Sequence, residues 1–237
     1  MFIIFLAIIF LFTVVTVVVG ALQKKKYNGV VFNEKEQCKG YYRSIAILWS
    51  ATLAVFIMCL IGSISFSDIG FRPISFDKNI WFTVITLVLS ATLLLYNLHQ
   101  LIMSLTSGKY RASMNEHITN AEGINQLLPR SKKEKRLFSL VALTAGVCEE
   151  IIYRGFLVFL LQATFPGMPI FLIILIPSVL FGLGHFYQGV QGVILTGVLG
   201  ALLMSLFLVS NSLLFVMILH FIIDFSATFL ISEERIK

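Results

Sequence analysis

The sequence predicts an all-α protein, a polytopic transmembrane bundle of about seven helices. Hydrophobic residues make up 58% of the 237 residues and charged residues only 13%, whereas a soluble globular protein is about 25% charged. Apolar runs of spanning length recur along the chain and alternate with polar segments. No polar segment is long enough to fold as a separate soluble domain, so we treat residues 1–237 as a single integral membrane domain.

The first three predicted spans cover residues 1–22, 44–66 and 80–105. The first is apolar and lacks the basic n-region of a secretory signal peptide, which indicates a retained helix. The segment that follows it, residues 23–43, carries six basic residues. The connection 67–79 is shorter and contains Pro73, which favours a loop.

Four further spans follow the long polar segment 106–136. They cover residues 137–165, 170–185, 193–209 and 213–231, with turn signals at 165–169 and 211–212. An eighth span is counted if a loop hides a re-entrant piece. Glycines cluster in the later spans, and small residues let membrane helices approach closely. We therefore expect residues 130–231 to form the compact core and residues 1–105 to form peripheral N-terminal spans.

The basic residues predict an orientation for the bundle. Of the 18 Lys and Arg residues, 15 lie in the segments 23–43, 106–136 and 232–237. Because cytoplasmic loops carry an excess of Lys and Arg, this places the N-terminus outside and the C-terminus in the cytoplasm. We expect a bacterial plasma membrane protein. Its net charge of +6 then faces an anionic leaflet, so the expected partner is the lipid bilayer and not nucleic acid.

Three charged residues stand in the middle of the fourth predicted span. Each charge near the bilayer centre costs at least about 2.5–3.5 kcal/mol, so such residues are rare and usually functional. Glu150 and Arg154 are four residues apart, with the acid first, which suits an ion pair on one helix face. Glu149 is rotated about 100° from Glu150 on a regular helix. It therefore needs a partner from another helix.

Two later spans supply the candidate partners. His185 closes the fifth span, and His220 and Asp224 lie four residues apart in the seventh. A lone histidine in an apolar helix is most often only a satisfied polar group, which is the interpretation we give to His99. Four costly groups on three helices are better explained by convergence on one wet cavity. We therefore expect Glu149 to meet this set.

These residue types are suited to hydrolysis. A carboxylate and an imidazole that share one water form a general base, and a second histidine–acid pair can stabilise an oxyanion. Two histidines and a glutamate are also a catalytic zinc ligand set, so Glu149, His185 and His220 could instead bind zinc. No His-Glu-x-x-His motif is present. Cys148 adjoins Glu149 but points elsewhere on the helix, so no nucleophile is convincingly placed.

Three motifs in this part of the chain resemble those of a known family. They are Glu-Glu-x-x-x-Arg at 149–154, Phe-x-x-x-His at 181–185 and His-x-x-x-Asp at 220–224. They resemble the CPBP family, which comprises the CAAX type II prenyl-protein endopeptidases and bacterial bacteriocin-processing and self-immunity (Abi) proteins. The resemblance covers about residues 130–231, and the first three spans resemble nothing in particular.

The resemblance implies intramembrane proteolysis by an activated water. In that mechanism Glu149 and His185 would activate the water. His220 and Asp224 would stabilise the oxyanion. The remaining motif residues would support the site, as a structural ion pair or as lining side chains: Glu150, Arg154, Tyr153 and Phe181.

The last motif position departs from the prenyl-protease branch, which usually has Asn where this chain has Asp224. An ionised Asp224 opposes an oxyanion unless His220 is protonated or Asp224 is neutral. This departure leaves more room for a metal. Family members have been described both as metalloproteases and as glutamate-dependent proteases without a catalytic metal.

The implied substrate is a membrane-associated peptide or protein, with or without a lipid modification. For a bacterial chain, we expect maturation of a secreted peptide, pheromone or bacteriocin leader, or protection against a bacteriocin. One alternative is a non-enzymatic immunity or scaffold protein of the same fold. An ion-coupled transporter would show paired broken helices in both halves, whereas the intramembrane charges here lie in the second half.

Overall fold

The computed structural model describes residues 1–27, 33–76, 79–119 and 128–230, with backbone only at 23–27 and 115–119. Within these ranges the chain is helical and contains no strand. This confirms the predicted all-α class. The predicted C-terminal tail, residues 232–237, lies outside the described residues.

Four helices form the N-terminal part, and they redraw two of the predicted loops. They are α1 (Phe2–Tyr27), α2 (Glu34–Gly62), α3 (Ile80–Thr106) and α4 (Gly108–Thr119). α2 begins ten residues before the predicted span because Asn33 and Glu36 form a capping box. α4 falls within the predicted polar segment 106–136, so that segment is not simply a loop.

The C-terminal part is built from five further helices. They are α5 (Lys132–Glu149), α6 (Val158–Thr164), α7 (Ile170–Gly184), α8 (Gly189–Ser210) and α9 (Leu213–Ala227). A π-helical segment, Glu150–Leu157, joins α5 to α6, and a 3₁₀ turn, Phe186–Gln188, joins α7 to α8. The predicted fourth span is therefore one long helix with an altered middle.

Four stretches are long and apolar enough to cross a membrane, among the residues described. They are Phe2–Leu22, Glu34–Gly62, Ile80–Thr106 and Phe186–Ser210. α7 and α9 are apolar but shorter. These helices point to an integral membrane protein. The count of seven or eight spans and the orientation of the bundle stay predictions.

The helix α3 turns small polar residues inward and apolar residues outward. Its buried residues are Thr83, Thr86, Ser90, Asn97 and Ser104. This face packs against α8 and α9, where the Ser226 hydroxyl donates to Asn97 Oδ1 at 3.0 Å. Because lipid tails are as apolar as leucine, membrane helices associate through close packing and hydrogen bonds, which this inverted face provides.

The best-buried part of the molecule is the π segment, in which all eight residues are buried. The helix α1 packs beside it, with Phe5 and Ile9 in the same hydrophobic core. Phe2 makes an edge-to-face contact with Phe159 on α6, with 5.6 Å between ring centroids. The division into residues 1–105 and 130–231 stays a prediction, although α1 contributes directly to the core.

Candidate active site

The helix that carries the two glutamates changes its geometry at this point. Glu149 is the last residue of α5, and Glu150 is the first residue of the π segment. π-helical turns are rare and frequently mark functional sites. Hydrophobic periodicity predicts a regular α-helix here, because the apolar pattern continues on both sides of the turn. The π turn is therefore a feature that sequence periodicity does not indicate.

The carboxylate of Glu150 is the hub of the buried charges. Its Oε1 accepts from Arg154 Nη1 at 2.8 Å and from His220 Nδ1 at 2.6 Å. All three side chains are almost fully buried. The predicted Glu150–Arg154 ion pair is confirmed. The pair is not isolated, because the same oxygen also binds a histidine from α9.

Arg154 ties the π segment to two neighbouring helices. Its Nη2 donates to the Gly200 carbonyl oxygen of α8 at 3.3 Å. Its guanidinium carbon lies 4.3 Å from the centroid of the Phe181 ring of α7, a cation–π distance. A buried charge needs partners, and Arg154 has them on three elements, although its Nε is buried without a hydrogen-bond partner among the described residues.

His220 presents its second nitrogen to the two remaining carboxylates. A carboxylate only accepts hydrogen bonds, so the contact with Glu150 places a proton on His220 Nδ1. The Nε2 atom lies 3.8 Å from Glu149 Oε2 and 3.6 Å from Asp224 Oδ2. Both distances are too long for a direct hydrogen bond.

Glu149 carries the least satisfied charge of the cluster. Its Oε2 atom is buried and has no hydrogen-bond partner among the described residues. Its ion contact is with His220, on another helix, as expected. A buried carboxylate oxygen without a partner is costly, so a water or a substrate group is the natural ligand for it.

His185 is fixed in one tautomer by its own helix. Its Nδ1 lies 2.8 Å from the carbonyl oxygen of Phe181, which can only accept, so Nδ1 is the donor and the neutral ring keeps a bare Nε2. The ring contacts Phe181 and Tyr187, with centroid distances of 4.7 and 5.8 Å. Among the described contacts, no ion pair joins His185 to Glu149.

Phe181 connects the members of the site. Its ring lies 5.9 Å from the His220 ring and 5.3 Å edge-to-face from the Tyr153 ring, between centroids. Tyr153 in turn lies within hydrogen-bonding reach of Thr13 on α1. Sequence reasoning missed Thr13, since its hydroxyl can be satisfied locally by the Ile9 carbonyl at 3.1 Å and therefore carries no signal.

Cys148 faces away from the cluster. It is fully buried, and its side chain lies within hydrogen-bonding reach of Thr52 on α2. This agrees with the expectation that Cys148 is not placed as a nucleophile.

The zinc alternative stays a prediction. In the part of the chain that the structure describes, no three His, Cys, Asp or Glu side chains come together as a metal-binding group. The Nδ1 atoms of His185 and His220 are both engaged by protein acceptors, which leaves Nε2 as the nitrogen that a metal would take. Glu149 and His220 approach one another, but His185 is not joined to them as a third ligand. We assign no chemical step to a metal.

Comparison with known proteins identifies a similarity in the part of the chain that carries these side chains. Residues 134–226 match the family model described as type II CAAX prenyl endopeptidase, Rce1-like. This range holds all seven residues that define the three motifs, and Tyr153. No curated protein and no solved structure gives a significant match.

Proposed function

Because residues 134–226 belong to the Rce1-like type II CAAX prenyl endopeptidase family, we propose that the chain is an intramembrane endopeptidase. It hydrolyses a peptide bond in a membrane-associated peptide or protein. The observation that carries this proposal is the buried, unpartnered Oε2 of Glu149, 3.8 Å from His220 Nε2. The family supports protease activity in general, and the roles below are our proposal.

Glu149 and His185 activate the water. The water donates one hydrogen bond to Glu149 Oε2. The bare Nε2 of neutral His185 is the second acceptor that we propose for it. As the water oxygen attacks the scissile carbonyl carbon, a proton passes to the Glu149 carboxylate. Positioned general bases of this kind typically contribute about 10²–10⁴-fold to the rate.

His220 and Asp224 stabilise the oxyanion. In its protonated state His220 donates from both nitrogens, to Glu150 through Nδ1 and to the oxyanion through Nε2. Asp224 lies 3.6 Å from Nε2 and balances the charge of the ring. An aspartate at position 224 is compatible with oxyanion stabilisation when His220 is protonated, and that is the state we propose. When the C–N bond breaks, the protonated Glu149 gives its proton to the leaving amine.

The substrate class follows from the location of the site. A peptide bond reaches these buried residues only from a segment held in or at the membrane. We propose maturation of a secreted peptide, pheromone or bacteriocin leader, or self-immunity, in a bacterial plasma membrane with the N-terminus outside. The substrate carries a lipid modification or none.

The test is the isosteric variant Glu149→Gln, which keeps the shape of the side chain and removes the base. We expect cleavage to fall by about 10²-fold or more, while the protein accumulates in the membrane at the wild-type level. Comparative peptidomics of membranes and medium measures the loss. Glu34→Gln, in the first turn of α2 and outside the site, is the matched control.

Two outcomes would contradict the assignment. Retained cleavage in the Glu149→Gln protein would remove the proposed base from the mechanism. Protection of cells that survives this substitution, with no peptide changing in abundance, would favour the non-enzymatic immunity protein.

A further inference from the structure

The connection between α2 and α3 is a folded element. We call residues 63–76 the α2–α3 loop. Ser63 ends α2 in the left-handed region with φ 53°. The hydroxyl and amide of Ser65 then donate to Asp68 Oδ2 at 2.6 and 2.9 Å, and these bonds hold the pKa of Asp68 below its ordinary value. The loop therefore closes on itself before it meets the rest of the protein.

The second half of the loop is bound to the turn between α8 and α9. Arg72 donates from Nε to the Asn211 carbonyl at 2.7 Å and from Nη2 to Asn211 Oδ1 at 3.1 Å. The side-chain amide of Asn211 donates from Nδ2 to the Ser75 carbonyl at 3.1 Å. The Ser75 amide donates to the Ser210 carbonyl at 3.0 Å. These bonds join positions more than 130 residues apart.

The tip of the loop touches both helices that carry the charged cluster. Ile69 is fully buried, and its carbonyl oxygen lies so close to the π segment that a Cβ on Gly155 would be 2.6 Å from it. The next carbonyl, from Gly70, accepts from the amide of Leu213 at 3.0 Å. Gly155 directly follows Arg154, and Leu213 is the first residue of α9.

We propose that the α2–α3 loop positions the active site by fixing α9 against the π segment. This inference rests on the proposed function. The contact between Glu150 and His220 and the gap between Glu149 and His220 both cross this interface. His220 lies seven residues from Leu213, about 10 Å along the helix, so a tilt at the start of α9 moves its imidazole. A misplacement of about 1 Å can cost about 10²-fold in rate.

Arg72 and Asn211 are therefore positioning residues for the reaction. Both lie outside the charged cluster, and Arg72 is exposed to solvent. The loop also lies outside the residues 134–226 that match the family model. A loop that served only as a connection would need neither the two-pronged arginine contact nor the close approach to Gly155.

The experiment is a double-mutant cycle of Arg72→Ala and Asn211→Gly. Glycine tolerates the positive φ of 52° at position 211, so this change removes the side chain and keeps the turn. We expect each single variant to lower kcat about tenfold with KM changed less than about twofold. The double variant should be slowed by less than the product of the two single effects, because the bond from Arg72 Nη2 to Asn211 Oδ1 is lost in both. Arg72→Lys should recover part of kcat.

A second readout is independent of cleavage. In protein labelled at histidine, Arg72→Ala should shift the imidazole resonances of His220, whereas those of the exposed His99 on α3 should not move. Arg43→Ala, an exposed arginine of α2, is the matched control for both readouts. Unchanged His220 resonances together with wild-type kcat in Arg72→Ala would overturn the inference.

The two proposals fail in different ways. If Glu149→Gln is inactive and Arg72→Ala retains full activity with unchanged His220 resonances, the loop does not position the site but the proposed function stands. If Glu149→Gln retains activity, the proposed function is wrong, and the His220 resonances alone decide whether the loop fixes α9.

Discussion

At the scale of single residues, one carboxylate oxygen joins two helices. Glu150 Oε1 binds Arg154 from its own helix and His220 from α9. Its other oxygen, Oε2, is buried and has no partner among the described residues. The shared oxygen therefore couples the orientation of the His220 ring to the stability of the ion pair.

Removing the arginine should expose this dependence. Arg154→Ala leaves Glu150 buried with His220 as its only cationic neighbour and takes a donor from the Gly200 carbonyl. We expect the free energy of unfolding to fall by about 3–5 kcal/mol, as for other buried ion pairs that lose one partner. Denaturant unfolding in detergent micelles measures the change. Arg43→Ala, on the exposed face of α2, should change it by less than about 0.5 kcal/mol, and an equal effect of both variants would contradict the prediction.

Much of this residue-level arrangement could be predicted, and the reason for the rest is geometric. The spacing of four residues correctly indicates the Glu150–Arg154 pair, and the lack of a local partner correctly indicates that Glu149 looks to another helix. The choice of His220 for Glu150 depends on the π turn and on how α9 is placed, which no local pattern encodes. No sequence pattern indicates Thr13 either, since its contact with Tyr153 comes from the packing of α1.

At the scale of elements, the contact between Gly155 and the loop is a close backbone approach near the site. A methyl group on Gly155 would meet the Ile69 carbonyl at 2.6 Å, so either the π segment or the loop backbone would have to shift. Gly40 on α2 offers the opposite case, with no atom within 4 Å of the added carbon.

The two glycines therefore form a matched pair of alanine substitutions. Gly155→Ala should destabilise the protein by about 1–3 kcal/mol through overpacking, whereas Gly40→Ala should be neutral or stabilise it by up to about 1 kcal/mol through helix propensity. Melting in micelles measures both. A Gly155→Ala protein as stable as Gly40→Ala would show that the loop is free to move aside.

Element boundaries could be predicted where turn chemistry marks them. α7 ends within a residue of the predicted span because Pro169 and the glycines before His185 punctuate it, and α9 begins at the predicted Leu213 after the turn at Asn211. α8 begins earlier than expected because Gly189 starts a helix instead of continuing a loop. α4 could not be predicted from hydrophobic periodicity, since it is polar.

At the scale of the whole molecule, the N-terminal helices complete the part that matches the family model. α1 packs against α6 and α7, α2 against α5, and α3 against α8 and α9. These contacts include hydrogen bonds, such as the one between Ser226 and Asn97. Without its first 127 residues the core would present these polar groups to lipid.

The fragment 128–237 should therefore fail to work alone. We expect it to accumulate poorly in the membrane and to show no cleavage, because unpaired polar groups facing hydrocarbon are costly. Coexpression of residues 1–127 should restore part of both. Quantitative immunoblotting and peptidomics provide the measurements. Full activity of the fragment by itself would contradict a supporting role for α1, α2 and α3.

The two histidines of the site share one feature, a Nδ1 atom committed to a protein acceptor. Each ring can exchange a proton with the reacting groups only through Nε2, and a ring flip would break a buried hydrogen bond. In the mechanism proposed above, every hydrogen bond from these rings to water or substrate must therefore form at Nε2, and the Nδ1 contacts fix the direction in which each Nε2 points.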